Sequence, residues 1–123
     1  REEWIVDCQF DQSTAMQKAM ELKHRYPGID AFFCASDGIA IGAIDGMMQL
    51  GMQVPQDVAV AGFDDFTVSK YIHGGITSVK QYPYEMGVAC ANTVVSMIDG
   101  NRVPDWIPME YKLMKRTSTK AKL

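Results

Sequence analysis

The chain has 123 residues, with 12 Lys+Arg against 15 Asp+Glu for a net charge of -3, and 47% of it is hydrophobic. That length suits one ordinary domain with a real core. The mild acidity leaves no basic face to track a phosphate backbone, and no apolar run approaches the ~20 residues of a membrane span. Cys8, Cys34 and Cys90 are odd in number, lack close-paired spacing and sit in apolar contexts, so reduced core thiols of a cytosolic protein are expected. No signal peptide is recognisable, and a start at Arg1 rather than Met predicts a longer parent protein.

Taken in order, Trp4-Ile5-Val6 has the β-branched and aromatic character of a strand. Ser13 and Thr14 supply helix caps, Thr14 and Gln17 match a capping box, and Ala15, Met16, Ala19, Met20 and Leu22 recur at helical spacing through Tyr26. Pro27-Gly28 turns the chain. A second strand is expected over Asp30–Ala35. A second helix follows over Gly38–Leu50, with Asp37 placed to cap it and to favour the positive end of its dipole. The run Val58–Phe63 reads as a third strand. Asp64–Gly75 is a largely polar segment with Tyr71 and Ile72 embedded and suits a short helix.

Ile76–Lys80 reads as a further strand. Tyr82-Pro83 then opens a long helix over Tyr84–Ile98, because Pro suits a first helical turn; Asp99-Gly100-Asn101 ends it with a left-handed cap. Met109–Met114 alternates enough for a last strand. Lys112, Lys115, Arg116, Lys120 and Lys122 cluster near the end and read as a solvated, partly frayed terminus. Strand-helix-strand-helix-strand with short, fully apolar strands is the signature of an α/β domain on a doubly wound parallel sheet covered on both faces.

In such sheets ligands bind beyond the carboxyl ends of the strands. Three predicted strands end there in a residue suited to recognition: Phe10 with a flat ring, Ser36 with a hydroxyl, Asp64 with a carboxylate. A ring with convergent polar groups suits a small polar ligand, a sugar above all. Singly, each has an ordinary structural explanation: core packing for Phe10, helix capping for Ser36, a turn for Asp64 and Asp65. Their shared register favours the binding reading.

Enzyme signals are weak. Asp64 and Asp65 are adjacent and point apart. His24 and His73 lack partners at metal-ligand spacing and are expected to face solvent. No nucleophile elbow, phosphate loop or dinucleotide fingerprint is present. No cofactor and no metal are expected. Gly42 and Gly46 form a Gly-x-x-x-Gly pattern that in this setting marks tight helix packing.

The segments Ser36–Ala43 and Gly51–Asp65 together resemble the effector-binding core of the lactose/galactose repressor (LacI-type) transcription regulators. Ile76-Thr77-Ser78-Val79-Lys80-Gln81 is similar to that family's Leu-Thr-Thr-Val-x-Gln, Gly87 with Ala91 fits its following helix, and Arg116-Thr117-Ser118 resembles its closing Arg-x-Ser. The resemblance covers almost the whole chain. It implies a periplasmic-binding-protein-like fold of two lobes with effector between them. Residues 1–80 would be an incomplete C-terminal lobe. Residues 81–123 would be the crossover helix of the other lobe with the returning strand and tail. By the same resemblance Phe10 matches an aromatic that stacks on effector, and Asp64 matches the acid that binds effector hydroxyl or amide groups. Gln81 lies at the crossover and joins the ligand set. Ser36 stands where the family usually has Asn.

The resemblance also implies a two-fold homodimer through the second helix and the segment after Asp64. That helix is apolar on more than one side, so Ile41, Ile44 and Met48, with Val68 and Ile72, are the expected contact residues. Two functions compete. One is the effector-binding part of a cytoplasmic, sugar-responsive regulator that meets operator DNA only through an absent N-terminal helix-turn-helix. The other is a fragment of a periplasmic-type sugar-binding protein serving a transporter. The missing export signal and the Lys-Arg-Thr-Ser tail favour the regulator.

Overall fold

A computed structural model describes residues 1–119. Four strands form one mixed sheet in the order β1-β2-β3-β4: β1 Ala31–Phe33, β2 Ala59–Asp64, β3 Thr77–Gln81 and β4 Tyr111–Met114. β1, β2 and β3 are parallel, with Phe33 opposite Ala61 and Ala61 opposite Thr77. β4 runs antiparallel to β3, with Val79 opposite Leu113 and Gln81 opposite Tyr111. The helices are α1 Gln12–Arg25, α2 Asp37–Gln49 and α3 Pro83–Ile98. The strands and helices predicted from Asp30 onward are present with ends within two residues of expectation, except that the short helix expected over Asp64–Gly75 is two 3-10 turns, Thr67–Lys70 and Ile72–Gly74.

The core lies between α2 and the sheet. Ile44, Met47, Val58, Val60 and Ile76 are fully buried there, with Cys34 and Ala40 beside them. Each such side chain contributes roughly 1.5–3 kcal/mol through burial. α1 covers the other side of α2. A Cβ on Gly42 would collide with the Gln12 carbonyl, and one on Gly46 would lie 2.7 Å from the Met16 carbonyl oxygen. The two glycines are what let these helix backbones approach, as the spacing suggested.

This sandwiching explains the all-round apolarity of α2 and corrects the expected contact surface. Ile41 and Ile44 face the core of their own chain, Ile44 being 1% exposed. They have no outward face to offer a partner. Of the five named positions, Met48 and Val68 are exposed and Ile72 is half-buried.

Other expectations are corrected. Trp4-Ile5-Val6 is not a strand. Glu2–Trp4 forms a 3-10 turn in which Trp4 N–H and Ile5 N–H bond to the Arg1 and Glu2 carbonyls, and the Trp4 ring leans on Tyr26 at 6.1 Å. Local bonding and an aromatic partner satisfy this segment without the edge of β1. The cap of α1 is Asp11, whose Oδ2 accepts from Thr14 N–H at 2.6 Å, so the chain enters the helix two residues early.

Helix covers one sheet face only. The opposite face leaves Phe33 72% exposed, with Leu113 also open. Cys8 and Cys34 are buried but Cys90, on α3, is exposed. His24 and His73 are both exposed as expected, and the His73 ring lies 3.0 Å from Asp45 Oδ1.

The C-terminal segment is not frayed where described. Ser118 is buried. Its hydroxyl donates to the Val60 carbonyl at 2.6 Å and accepts from Thr77 N–H at 2.8 Å. Thr117 Oγ1 reaches the Gly74 and Gly75 carbonyls. Small hydroxyl side chains thus lash this segment across the amino ends of β2 and β3. Lys120 and Lys122 lie outside the described residues.

Candidate functional site

The site is built at the carboxyl ends of β2 and β3. β2 finishes with two consecutive residues in the left-handed region, Asp64 at φ 99° and Asp65 at φ 56°. Asp tolerates positive φ better than most residues, yet such conformations cost about 1–3 kcal/mol each and persist only where the surroundings impose them. Here the reversal separates two adjacent carboxylates. Asp64 Oδ1 accepts from Gln81 Nε2 at 2.7 Å. Asp65 turns to the guanidinium of Arg116, its side chain 3% exposed, and its backbone N–H donates to Ser78 Oγ at 3.0 Å. Arg116 also donates from Nη1 to the Ile76 carbonyl at 2.7 Å.

A cavity of ≈ 630 Å³ opens beside this turn. Asp64, Asp65, Phe66 and Thr67 form one wall, and Lys80, Gln81, Pro83 and Met86 the other. Asp64 keeps one oxygen outside its bond to Gln81, and the Gln81 amide keeps its carbonyl. Together they offer acceptors and a donor to a hydroxyl- or amide-bearing ligand. Asp65 is neutralised by Arg116, so the pair of carboxylates is no acid–base dyad. The Lys80 ammonium lies over the Tyr82 ring at 5.3 Å.

Of the four predicted ligand residues, Asp64 and Gln81 come together and touch. Ser36 and Phe10 are not in that cavity wall. Ser36 is the cap of α2, its Oγ accepting from Ile39 N–H at 3.2 Å. Phe10 does not follow a strand; it sits in a left-handed turn with Gln9 and is 76% exposed.

With Ser36 as the cap, Asp37 is free for another task. It is fully buried, and its Oδ2 accepts from Phe66 N–H at 2.8 Å and from Ser69 Oγ at 2.5 Å. Gly62 makes room for it, since a Cβ there would collide with Asp37 Oδ1. The carboxylate thereby pins the segment that carries Phe66 and Thr67 along the cleft.

Phe66, Thr67, Lys80 and Arg116 were not singled out from sequence as site residues. Phe66 and Thr67 directly follow the Asp pair, which is a usable signal. Arg116 stands in the Arg-x-Ser motif, but nothing local points to its partner, which is 51 residues away.

Burial pushes the Cys34 thiol up to about 12, helped by the nearby Cys8 and Asp37, and burial raises Cys8 as well. Neither is a nucleophile at neutral pH. No described helix is long and apolar enough to cross a membrane.

A mainly parallel α/β sheet with a polar cleft at its strand ends defines a ligand-binding regulatory domain. The model of the periplasmic binding protein-like domain matches residues 2–119, and the chain belongs to that family, in the LacI-type form that serves as the effector-binding part of regulators. The HTH-type transcriptional repressor PurR of Yersinia pestis (strain Pestoides F) is 33% identical over 122 residues, covering 96% of this chain and 35% of the repressor. The transcriptional regulator CelR in its cellobiose complex superposes with a TM-score of 0.80 at 36% identity, over 89% of this chain and 34% of CelR. The lac repressor dimer bound to operator and the anti-inducer ONPF shares the fold, with a TM-score of 0.82 at 24% identity over 90% of this chain and 34% of that one. The chain thus spans about a third of the length of these relatives. They are transcription regulators, which points away from an enzyme and does not favour a transporter's solute-binding protein.

Proposed function

We propose that the chain is the effector-binding part of a cytoplasmic transcription regulator. Its effector is a mono- or disaccharide or a related small polar metabolite, and ligand occupancy sets the operator affinity of a helix-turn-helix elsewhere in the parent protein. The observation that carries this reading is the Asp64–Gln81 pair at the mouth of a strand-end cleft. The cellobiose held by the relative CelR supports a carbohydrate. In this reading Asp64 accepts from ligand hydroxyls and Gln81 bridges Asp64 to the ligand. Phe66 walls the cleft, Phe10 stacks on a sugar face, and Ser36 adds its hydroxyl proton. Subunits pair through the exposed Met48 and Val68, with the half-buried Ile72 between them and the core.

Calorimetry with a panel of mono- and disaccharides, cellobiose first, tests the site. Charge-assisted hydrogen bonds contribute about 1.5–3 kcal/mol, so Asp64→Ala is expected to weaken the binding sugar by about 10- to 150-fold. Equal affinity in wild type and variant sinks the assignment.

A further inference from the structure

Beside the ligand-facing Asp64 lies a buried ion pair whose Asp65 belongs to the cleft wall while its Arg116 stands behind that wall, and the pair holds the turn on which the cleft's polar mouth depends. Asp65 and Arg116 are 3% and 13% exposed at their side chains. The guanidinium is shared between the Asp65 carboxylate and the Ile76 carbonyl, the latter at 2.7 Å. Arg116 is itself held through its backbone, whose N–H donates to Thr77 Oγ1 at 2.8 Å. Asp65 is held on a second side by Ser78 Oγ, which receives its N–H.

These contacts converge on one of two successive non-glycine residues at positive φ. Strain of that kind relaxes unless something imposes it. Asp64, the more extreme of the two, is held by its place opposite Lys80 in the ladder and by its side-chain partner Gln81, whereas Asp65, beyond the strand, is held by Arg116 and Ser78. Relaxing Asp65 to ordinary φ would redirect the chain just after Asp64 and release the constraint that keeps Asp64 in its unusual conformation, and with it the aim of the carboxylate at Gln81. Removing the guanidinium would also leave a buried carboxylate without its counter-ion, which favours such relaxation.

We propose that Asp65 and Arg116 are positioning residues of the cleft: their ion pair fixes the left-handed turn that aims Asp64 at Gln81 and the ligand. Arg116 comes from the last described segment, so the chain's C-terminal end is part of the recognition apparatus without touching ligand. The inference rests on the reading of this cleft as the ligand site.

The Gln81 side-chain amide reports the geometry in the absence of any ligand. Its resonances in a ¹H–¹⁵N spectrum of the chain should be displaced by the hydrogen bond to Asp64, and Asp64→Asn identifies the displacement. In Arg116→Met and in Asp65→Asn the Gln81 amide is expected to move towards free-amide positions and to lose its protection from solvent exchange, while the core amides of α2 keep their shifts. In Arg116→Lys, which keeps a cation but not the planar fork that reaches two oxygens at once, the displacement should be intermediate. General loss of stability would not produce this graded, local response in folded protein. An unmoved Gln81 amide in any folded Asp65 or Arg116 variant overturns the proposal; Arg116→Lys serves if Arg116→Met does not fold. Because no sugar is added, failure here leaves the carbohydrate reading standing, and failure to bind sugar leaves the positioning role standing.

Discussion

Single residues carry the sharpest chemistry. Cys34 has its thiol raised to about 12 by burial and by the neighbouring Cys8 and Asp37. Its contribution to stability is whole below pH 9, the ordinary thiol value, and is lost as pH rises towards 12. Cys90 is exposed. Brief maleimide labelling of native protein at neutral pH, read by mass spectrometry, should therefore modify Cys90 first, with Cys8 and Cys34 reacting only after unfolding. Gly62 is as telling. A methyl at that position meets a buried carboxylate that already has two partners. Gly62→Ala should cost about 1–3 kcal/mol by overpacking, seen as a lower urea midpoint with an unchanged slope. Asp64 was singled out because strand exits in α/β sheets are where ligands go, and Gln81 because the family resemblance puts it at the crossover. Arg116 was seen only as part of an Arg-x-Ser motif, since a pairing across 51 residues leaves no periodic or local trace of its partner.

At the scale of elements, apolar runs closed by Gly and Pro were enough to place β1, β2, β3 and α2 and to read the Gly42–Gly46 contact. What failed was anything decided by a neighbour. Trp4-Ile5-Val6 has strand propensity but found an aromatic partner in Tyr26 instead of a sheet edge. Ile44 was expected outward because a helix face can cover only one surface; α1 took the Gly42–Gly46 side of α2, and Ile44 lies on the opposite side, in the core against the sheet. Ile44→Ala should accordingly destabilise by about 2–5 kcal/mol, measured by denaturant titration, whatever the oligomeric state. α1 has its own signature. Asp11 is lowered from its ordinary 3.8, chiefly by accepting the Thr14 N–H. A depressed carboxylate stabilises above its unfolded value and ceases to do so as pH falls through the folded one. Helical signal by circular dichroism should therefore weaken on acidification below 3.8 in wild type and change less over the same range in Asp11→Asn, which caps without titrating.

At the scale of the molecule, two large apolar surfaces stand open: the sheet face bearing Phe33, and α3, none of whose residues is buried. Surfaces of this kind mark contacts with other protein. Sedimentation at micromolar concentration is expected to show association. Met48→Asp, on the proposed two-fold contact and 54% exposed, should shift the chain towards monomer without lowering its stability. Monomer in both proteins would exclude that contact. The same chain should leave operator-like DNA unshifted in a gel at moderate salt, since its net charge is -3 and the described residues contain no helix-turn-helix.

The antiparallel pairing of β3 with β4 also has a mechanical meaning. The chain departs from the sheet along β3, makes α3, and comes back along β4, so departure and return are hydrogen-bonded to one another, Gln81 directly against Tyr111. The tether to α3 is therefore a two-ply ribbon rather than two independent threads. Sliding one ply along the other would break the ladder. β3 is also held by β2 as far as Lys80, so only Gln81 and Tyr111 run on past the sheet as a two-stranded piece. Gln81 sits where the chain leaves the sheet for α3 and is already clasped to Asp64, so a molecule that grips this pair holds the joint from which α3 departs.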